Sequence, residues 1–270
     1  MDALAKTVGW TVAALLVLLG LPIQLLLWLV SRPFDPNLVL PGQFLRGVGV
    51  NFGRCYPGWR FRVEGTWPAG PGPYVVVANH QSLLDIVLLS RMPREMKWVG
   101  KEELFRIPWI GWMLRLTGDI AVKRGDPESG GEAIGKAKAY LARGMSVMIF
   151  PEGTRSRDAR LLPFKSGAFR LAIEAGVPVL PVALSGTAAG LQKGGLAVAP
   201  CDAVATILPP FSTVGLTQGD AVALRERVRA AMAATMPPEL VGPASRARVA
   251  QPEPGAPPAS PPPPEPPEGA

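Results

Sequence analysis

The sequence predicts an α/β domain, with a mostly parallel sheet covered by helices, behind an N-terminal membrane helix or helix pair. Three observations carry this reading. Short β-rich runs alternate with helix-length segments from residue 60 to residue 242. Those runs are almost continuously apolar, as strands covered on both faces must be. The longest charge-free apolar stretch stands alone at the front of the chain. The chain therefore divides into membrane-associated helices at 1–59, an α/β domain at 60–242 and a Pro-rich tail at 243–270.

Residues 8–30, VGWTVAALLVLLGLPIQLLLWLV, carry no charge. At 1.5 Å rise they make a helix of about 34 Å, enough to cross a bilayer core. The run exceeds the roughly 7–15 apolar residues of a cleavable signal, and no small-x-small site closes it, so the segment reads as retained. Pro22 and Gln24 leave two courses open, a kinked span or a dip into one leaflet. Residues 31–59 suggest a second, amphipathic helix beginning near Pro41. Its basic side either faces lipid phosphates or packs in the ordinary way.

Strands are expected at 74–78, 96–99, 120–122, 146–150, 179–184 and 204–208. Helices are expected at 82–90, at 131–142 before Gly144, at 166–175 before Gly176, and at 220–236 before Pro237 and Pro238. Between them, residues 107–113 form an apolar loop whose Trp109 and Trp112 face either lipid or core. Pro178 and Pro181 place the run 177–182 at a sheet edge or in the wall of a ligand tunnel. Ten of the last nineteen residues are Pro, so the tail is expected to be disordered or polyproline II, solvated or a ligand for a Pro-binding module.

Composition narrows the chemistry. The 270 residues hold one histidine and two cysteines, Cys55 and Cys201, too few and too far apart for a zinc site of ordinary spacing. No metal and no bound cofactor is expected. Two cysteines without a disulfide framework suit a reducing compartment. The net charge is +7. Arg246 and Arg248 against Glu253, Glu265 and Glu268 make the tail slightly acidic, so the surplus lies in the folded and membrane-proximal parts. It favours an anionic partner, without choosing among lipid phosphate, nucleotide and nucleic acid. Phosphate-loop, dinucleotide-fold and serine-hydrolase signatures are absent.

Any imidazole base must be His80, which lies in Ala78-Asn79-His80-Gln81-Ser82-Leu83-Leu84-Asp85, where a strand ends and a helix begins. On one continuous helix, residues five apart point roughly 140° from each other. His80 and Asp85 can meet if His80 precedes the helix, Ser82 caps it and Asp85 reaches back. Asp85 would then hold one ring nitrogen while the other takes a proton from a hydroxyl. The same Ser-x-x-Asp spacing serves as a simple capping box, so the spacing leaves a structural role open. Further on, Phe150-Pro151-Glu152-Gly153-Thr154-Arg155-Ser156 follows a strand, with Arg157, Arg160 and Lys165 nearby. A Gly-Thr turn lets backbone approach a ligand, and Arg155 offers a planar fork for phosphate, or these residues are a basic surface turn. Lys101 and Arg124 are cations at other strand ends, where open α/β sheets bind ligands.

Asn79-His80-x-Ser82-x-x-Asp85, Gly118 through Arg124, Phe150 through Ser156 and Val177-Pro178-Val179-Leu180-Pro181-Val182 together resemble the four ordered blocks of the glycerolipid acyltransferase family, in its bacterial 1-acyl-sn-glycerol-3-phosphate acyltransferase branch. The resemblance spans about residues 8–236. Ala121 and Val122 depart from it, standing where bulkier residues are common. It implies His80 as general base and Asp85 as its orienting partner. It also implies that Glu152, Gly153, Thr154 and Arg155 bind the lysophospholipid, with Arg124 and Lys101 near its phosphate. The implied reaction moves a fatty acyl group from acyl-CoA or acyl carrier protein to the sn-2 hydroxyl of lysophosphatidic acid. Membrane lipid is the implied partner and nucleic acid is not, with the enzyme on the cytoplasmic side of the cell membrane. Another lyso-lipid acceptor, such as a lyso-ornithine lipid, and a silent membrane scaffold are the alternative readings.

Overall fold

The computed structural model describes residues 3–70, 72–191 and 198–241; the tail from 242 onward lies outside the described residues. Seven strands form one sheet: β1 (Trp59–Glu64), β2 (Val75–Ala78), β3 (Lys97–Lys101), β4 (Ile120–Val122), β5 (Val147–Ile149), β6 (Val179–Ser185) and β7 (Cys201–Ile207), in the order β1-β7-β6-β2-β5-β3-β4. Every pairing is parallel except β6 with β7. The helices are α1 (Ala3–Ser31), α2 (Val39–Arg54), α3 (Leu84–Leu89), α4 (Glu102–Arg106), α5 (Ile110–Leu116), α6 (Pro127–Ala142), α7 (Gly167–Ala175), α8 (Thr187–Gly190) and α9 (Ala221–Thr235).

β2 is the centre of the sheet, and its four residues are completely buried. Alternation sends Val75 and Val77 to one core with Phe169, Leu171, Leu224 and Val228, and sends Val76 and Ala78 to the other with Leu84, Leu88 and Leu180. Each such side chain contributes about 1.5–3 kcal/mol of burial. The continuous apolar run of β2 follows from this two-sided cover.

Four sequence expectations need correction. The run 177–182 is no edge. Its strand, β6, lies between β7 and β2. Pro181 is tolerated there because its missing N–H falls at the end of the β6/β7 ladder, where Leu208 still donates to the Pro181 carbonyl at 3.0 Å. Residues 107–113 are not simply a loop. A γ-turn with Trp109 at φ 68° and Ile110 N–H bonded to the Pro108 carbonyl starts α5, and the Trp109 indole donates to Leu18 of α1. The strand β1 was missed, because its polar, arginine-bearing outer face lacks the apolar run used to find the others.

The fourth correction concerns α2, which does form but does not turn all its basic residues outward. Arg46 is buried, with Nη2 2.8 Å from both carboxylate oxygens of Asp119, and its guanidinium lies 4.2 Å over the Trp98 ring. Beside it, fully buried Lys97 donates to the carbonyls of Leu38 and Thr117 and lies 3.6 Å from Glu95. These charges sit out of water only because each has a partner. The cluster clamps α2 onto β3 and the entry to β4.

Helix α1 contains the 23-residue stretch Gly9–Ser31, long and apolar enough to cross a membrane and little buried by the protein. Leu19, Leu26 and Leu29 are each more than half exposed. Its polar Gln24 is instead completely buried, donating to the carbonyls of Pro41 and Met113. One face of α1 therefore packs on α2 and α5 while its apolar remainder is left outward.

Candidate active site

The chain leaves β2 at Ala78 and delivers the next four residues into the carboxyl end of the sheet. Asn79 fixes their path by bonding Leu184 twice, its amide donating to the carbonyl at 2.9 Å and its oxygen accepting the N–H at 2.7 Å. The helix starts one turn later than expected, at Leu84, so His80 is in the loop. Ser82 is not its formal cap, although its hydroxyl accepts from Leu84 N–H and donates to the Leu191 carbonyl. Asp85, in the first helical turn, reaches back.

That reach brings Asp85 Oδ2 to 2.7 Å from His80 Nδ1, and the same oxygen accepts the N–H groups of Gln81 and Ser82. Asp85 Oδ1 receives the hydroxyl of Thr187, on the short helix α8 beyond β6. Thr187 is fully buried and also contacts Gln81 Oε1. With Nδ1–H given to Asp85, the neutral ring keeps its lone pair on Nε2, the form a general base requires. The His80 ring stacks on Phe150 at 3.9 Å, and Ser156 N–H holds the His80 carbonyl. The imidazole is thus fixed in position, tautomer and plane.

The loop after β5 forms the adjoining wall. Gly153 has φ 70°, and a Cβ there would press on the Lys165 side chain, so glycine suits both the turn and the close approach. Glu152 turns inward. It is 5% exposed, and its Oε1 accepts from Leu162 N–H at 3.4 Å. Burial pushes its carboxyl up to about 8; the N–H groups of Leu162 and His80 work against this, and the negative charge of Asp85 adds to it. Thr154 is exposed and Arg155 half-buried on the outer side of the same turn.

The structure brings the remaining cations to the same end of the sheet. Arg124 follows β4 and Lys101 ends β3, where its ammonium pairs with Glu103 at 2.9 Å. The Arg124 guanidinium is held below its usual value by partial desolvation, with Glu103 opposing and the like charge of Arg155 adding to the effect. Two guanidiniums that repel each other across a strand-end opening favour an anion between them. His80 and Asp85 are directly joined, while the four candidates Lys101, Arg124, Thr154 and Arg155 surround the approach and Glu152 supports it from beneath. Thr187 was not found by sequence reasoning. It lies 102 residues from Asp85, and nothing in its local pattern marks it.

The Acyltransferase family matches residues 60–185. The chain is 37% identical over 186 residues to the 1-acyl-sn-glycerol-3-phosphate acyltransferase LPAT1, chloroplastic, of Arabidopsis thaliana, covering 68% of this chain and 50% of that protein. It is 39% identical over 144 residues to the 1-acyl-sn-glycerol-3-phosphate acyltransferase of Salmonella typhimurium, covering 52% of this chain and 59% of that one. The first relatives are matched over 41%, 50% and 53% of their lengths, so the chain spans about half of the curated relatives it matches. Among solved structures, that of the 1-acyl-sn-glycerophosphate acyltransferase PlsC of Thermotoga maritima superposes with a TM-score of 0.67 at 26% identity, covering 87% of this chain and 97% of that one.

Proposed function

Because residues 60–185 are a domain of the Acyltransferase family, we propose that this protein transfers a fatty acyl group to the sn-2 hydroxyl of lysophosphatidic acid, giving phosphatidic acid. The observation that carries the reading is the buried His80–Asp85 pair, with its free Nε2 at a strand end flanked by Arg124 and Arg155. Relatives named for this acceptor support it.

The steps follow from the groups present. The sn-2 hydroxyl is a poor nucleophile until a base takes its proton, and His80 Nε2 is the base. The alkoxide oxygen bonds the carbonyl carbon of the acyl thioester. The C–S bond then breaks and the thiolate leaves, taking up the proton that His80 carries. No protein nucleophile is needed, because a thioester is already an activated acyl donor. Asp85 stabilises the imidazolium between the two proton transfers, and Thr187 with the Gln81 and Ser82 N–H groups keeps Asp85 in place. Arg124 and Arg155, with Lys101 beside them, hold the acceptor phosphate, and Gly153 and Thr154 shape the turn against it.

Helix α1 attaches the enzyme to the membrane that contains its acceptor. The basic residues that follow α1 favour placing the active domain on the cytoplasmic side of the cell membrane. Acyl-CoA and acyl carrier protein are the donors proposed. The test is an assay of purified protein with lysophosphatidic acid and a panel of both donor types. Phosphatidic acid formation is expected, and its absence with every donor would refute the reading.

A further inference from the structure

The far edge of the sheet holds a second feature, which the chemistry at His80 does not use. A groove of about 540 Å³ runs beside β4, between α4 and α5 on one side and α6 on the other. Its floor is the segment Gly118 to Ala121, and its rim carries four exposed cations, Arg106, Arg115, Lys136 and Arg143. Two carboxylates line it as well. Glu102 pairs with Arg106 at 2.9 Å, while Asp119 is committed to Arg46 and to Trp98 N–H, leaving the groove a positive surplus. The volume is that of a ligand site.

Resting on the acyltransfer reading above, we propose that this groove binds the phosphopantetheine-bearing end of the acyl donor, the chemistry shared by coenzyme A thioesters and acyl carrier protein. Two properties of the groove fit that molecule. Guanidiniums pair with its phosphates. The floor is an edge strand, since β4 pairs only with β3 among the described residues, so it presents an unpaired row of backbone groups. A pantetheine arm is linear and carries two amides, which can bond such an edge as an added peptide strand does.

The strand registers supply the reach. Val76, Met148 and Trp98 lie on one level, and Ile120 pairs with Val99 one residue above it. Ala121 is therefore level with Ala78, two residues short of His80. β4 is three strands from β2, about 14 Å across the sheet. An extended arm anchored in the groove spans that distance and places its thioester at the His80 end, passing the opening where Arg124 and Arg155 hold the acceptor.

The test uses the full chain with the paired substitution Arg115→Glu and Arg143→Glu, assayed with lysophosphatidic acid and either donor. Removing two charge-assisted contacts should raise the KM for donor by about tenfold or more, with the KM for lysophosphatidic acid unchanged. A rise with both donors supports the shared anchor; a rise with one supports a donor site and identifies the donor that fills it. An unchanged donor KM, an equal rise for acceptor, or loss only of binding to anionic vesicles overturns the proposal, the last in favour of a lipid headgroup. If the paired variant does not fold, Arg115→Gln and titration of the His80→Ala protein with free coenzyme A read the same site. Coenzyme A that binds His80→Ala but not His80→Ala with Arg115→Gln supports the groove even where no acyl transfer is seen, which separates its fate from that of the activity. Equal binding to both overturns it.

Discussion

The hydroxyl of Thr187 donates to Asp85 Oδ1, while the other oxygen of the same carboxylate meets His80 Nδ1 at 2.7 Å. One buried carboxylate thus joins a residue after β6 to the base after β2. Thr187→Val keeps the shape and removes the only hydroxyl, leaving Asp85 Oδ1 buried without that donor. Turnover should fall, and the alkaline and acid limbs of the kcat profile should move, because Asp85 no longer holds the same charge distribution against the imidazole. Thr187→Ser should restore both. A purely structural Thr187 predicts lower thermal stability with an unshifted profile.

Asp85→Asn separates orientation from capping. The amide keeps an oxygen for the Gln81 and Ser82 N–H groups but cannot stabilise an imidazolium. Turnover per folded molecule should drop by orders of magnitude, by analogy with carboxylate-to-amide changes in other His–Asp pairs. A cap alone predicts a stability loss of about 1 kcal/mol with turnover preserved.

Glu152 is buried with a carboxyl raised to about 8, so it is mostly neutral at pH 7. Glu152→Gln should therefore leave turnover at pH 7 near that of the parent. The linkage has a definite sign. The native state keeps a proton that the unfolded chain releases above the ordinary carboxyl value, so Glu152's contribution to stability is complete below about pH 4.5 and declines until about pH 8. Thermal melts should show Glu152→Gln gaining on the parent across that window and no further above it. A difference in Tm that does not vary with pH would contradict the assignment.

Arg46→Met leaves Asp119 and Glu95 buried without their guanidinium. Breaking a buried charge pair from one side costs about 3–5 kcal/mol. Urea unfolding should show a loss of that size, and α2 should become the first element to exchange its amides.

Arg155→Ala should raise the KM for lysophosphatidic acid more than that for the acyl donor. Kinetics with each substrate varied in turn decide this; an equal effect on both would mark Arg155 as a structural residue.

Much of this was legible in the chain. The strand periodicity of 75–78 and 179–184, the long apolar run of α1, and the spacing of Asp85 from His80 follow from local rules of burial and capping, which act within a few residues. The parts that escaped depend on distant partners. Thr187 matters because β6 returns it to Asp85, Arg46 turns inward because Asp119 awaits it, and β6 tolerates Pro181 because β7 ends beside it. No window of sequence contains both members of any of these pairs.

The most direct test of the account is the turnover of purified His80→Ala with lysophosphatidic acid and a saturating acyl donor. The chain has no other imidazole, so transfer should fall to background while the protein still binds membranes through α1. Near-parental turnover by the folded variant would contradict the account.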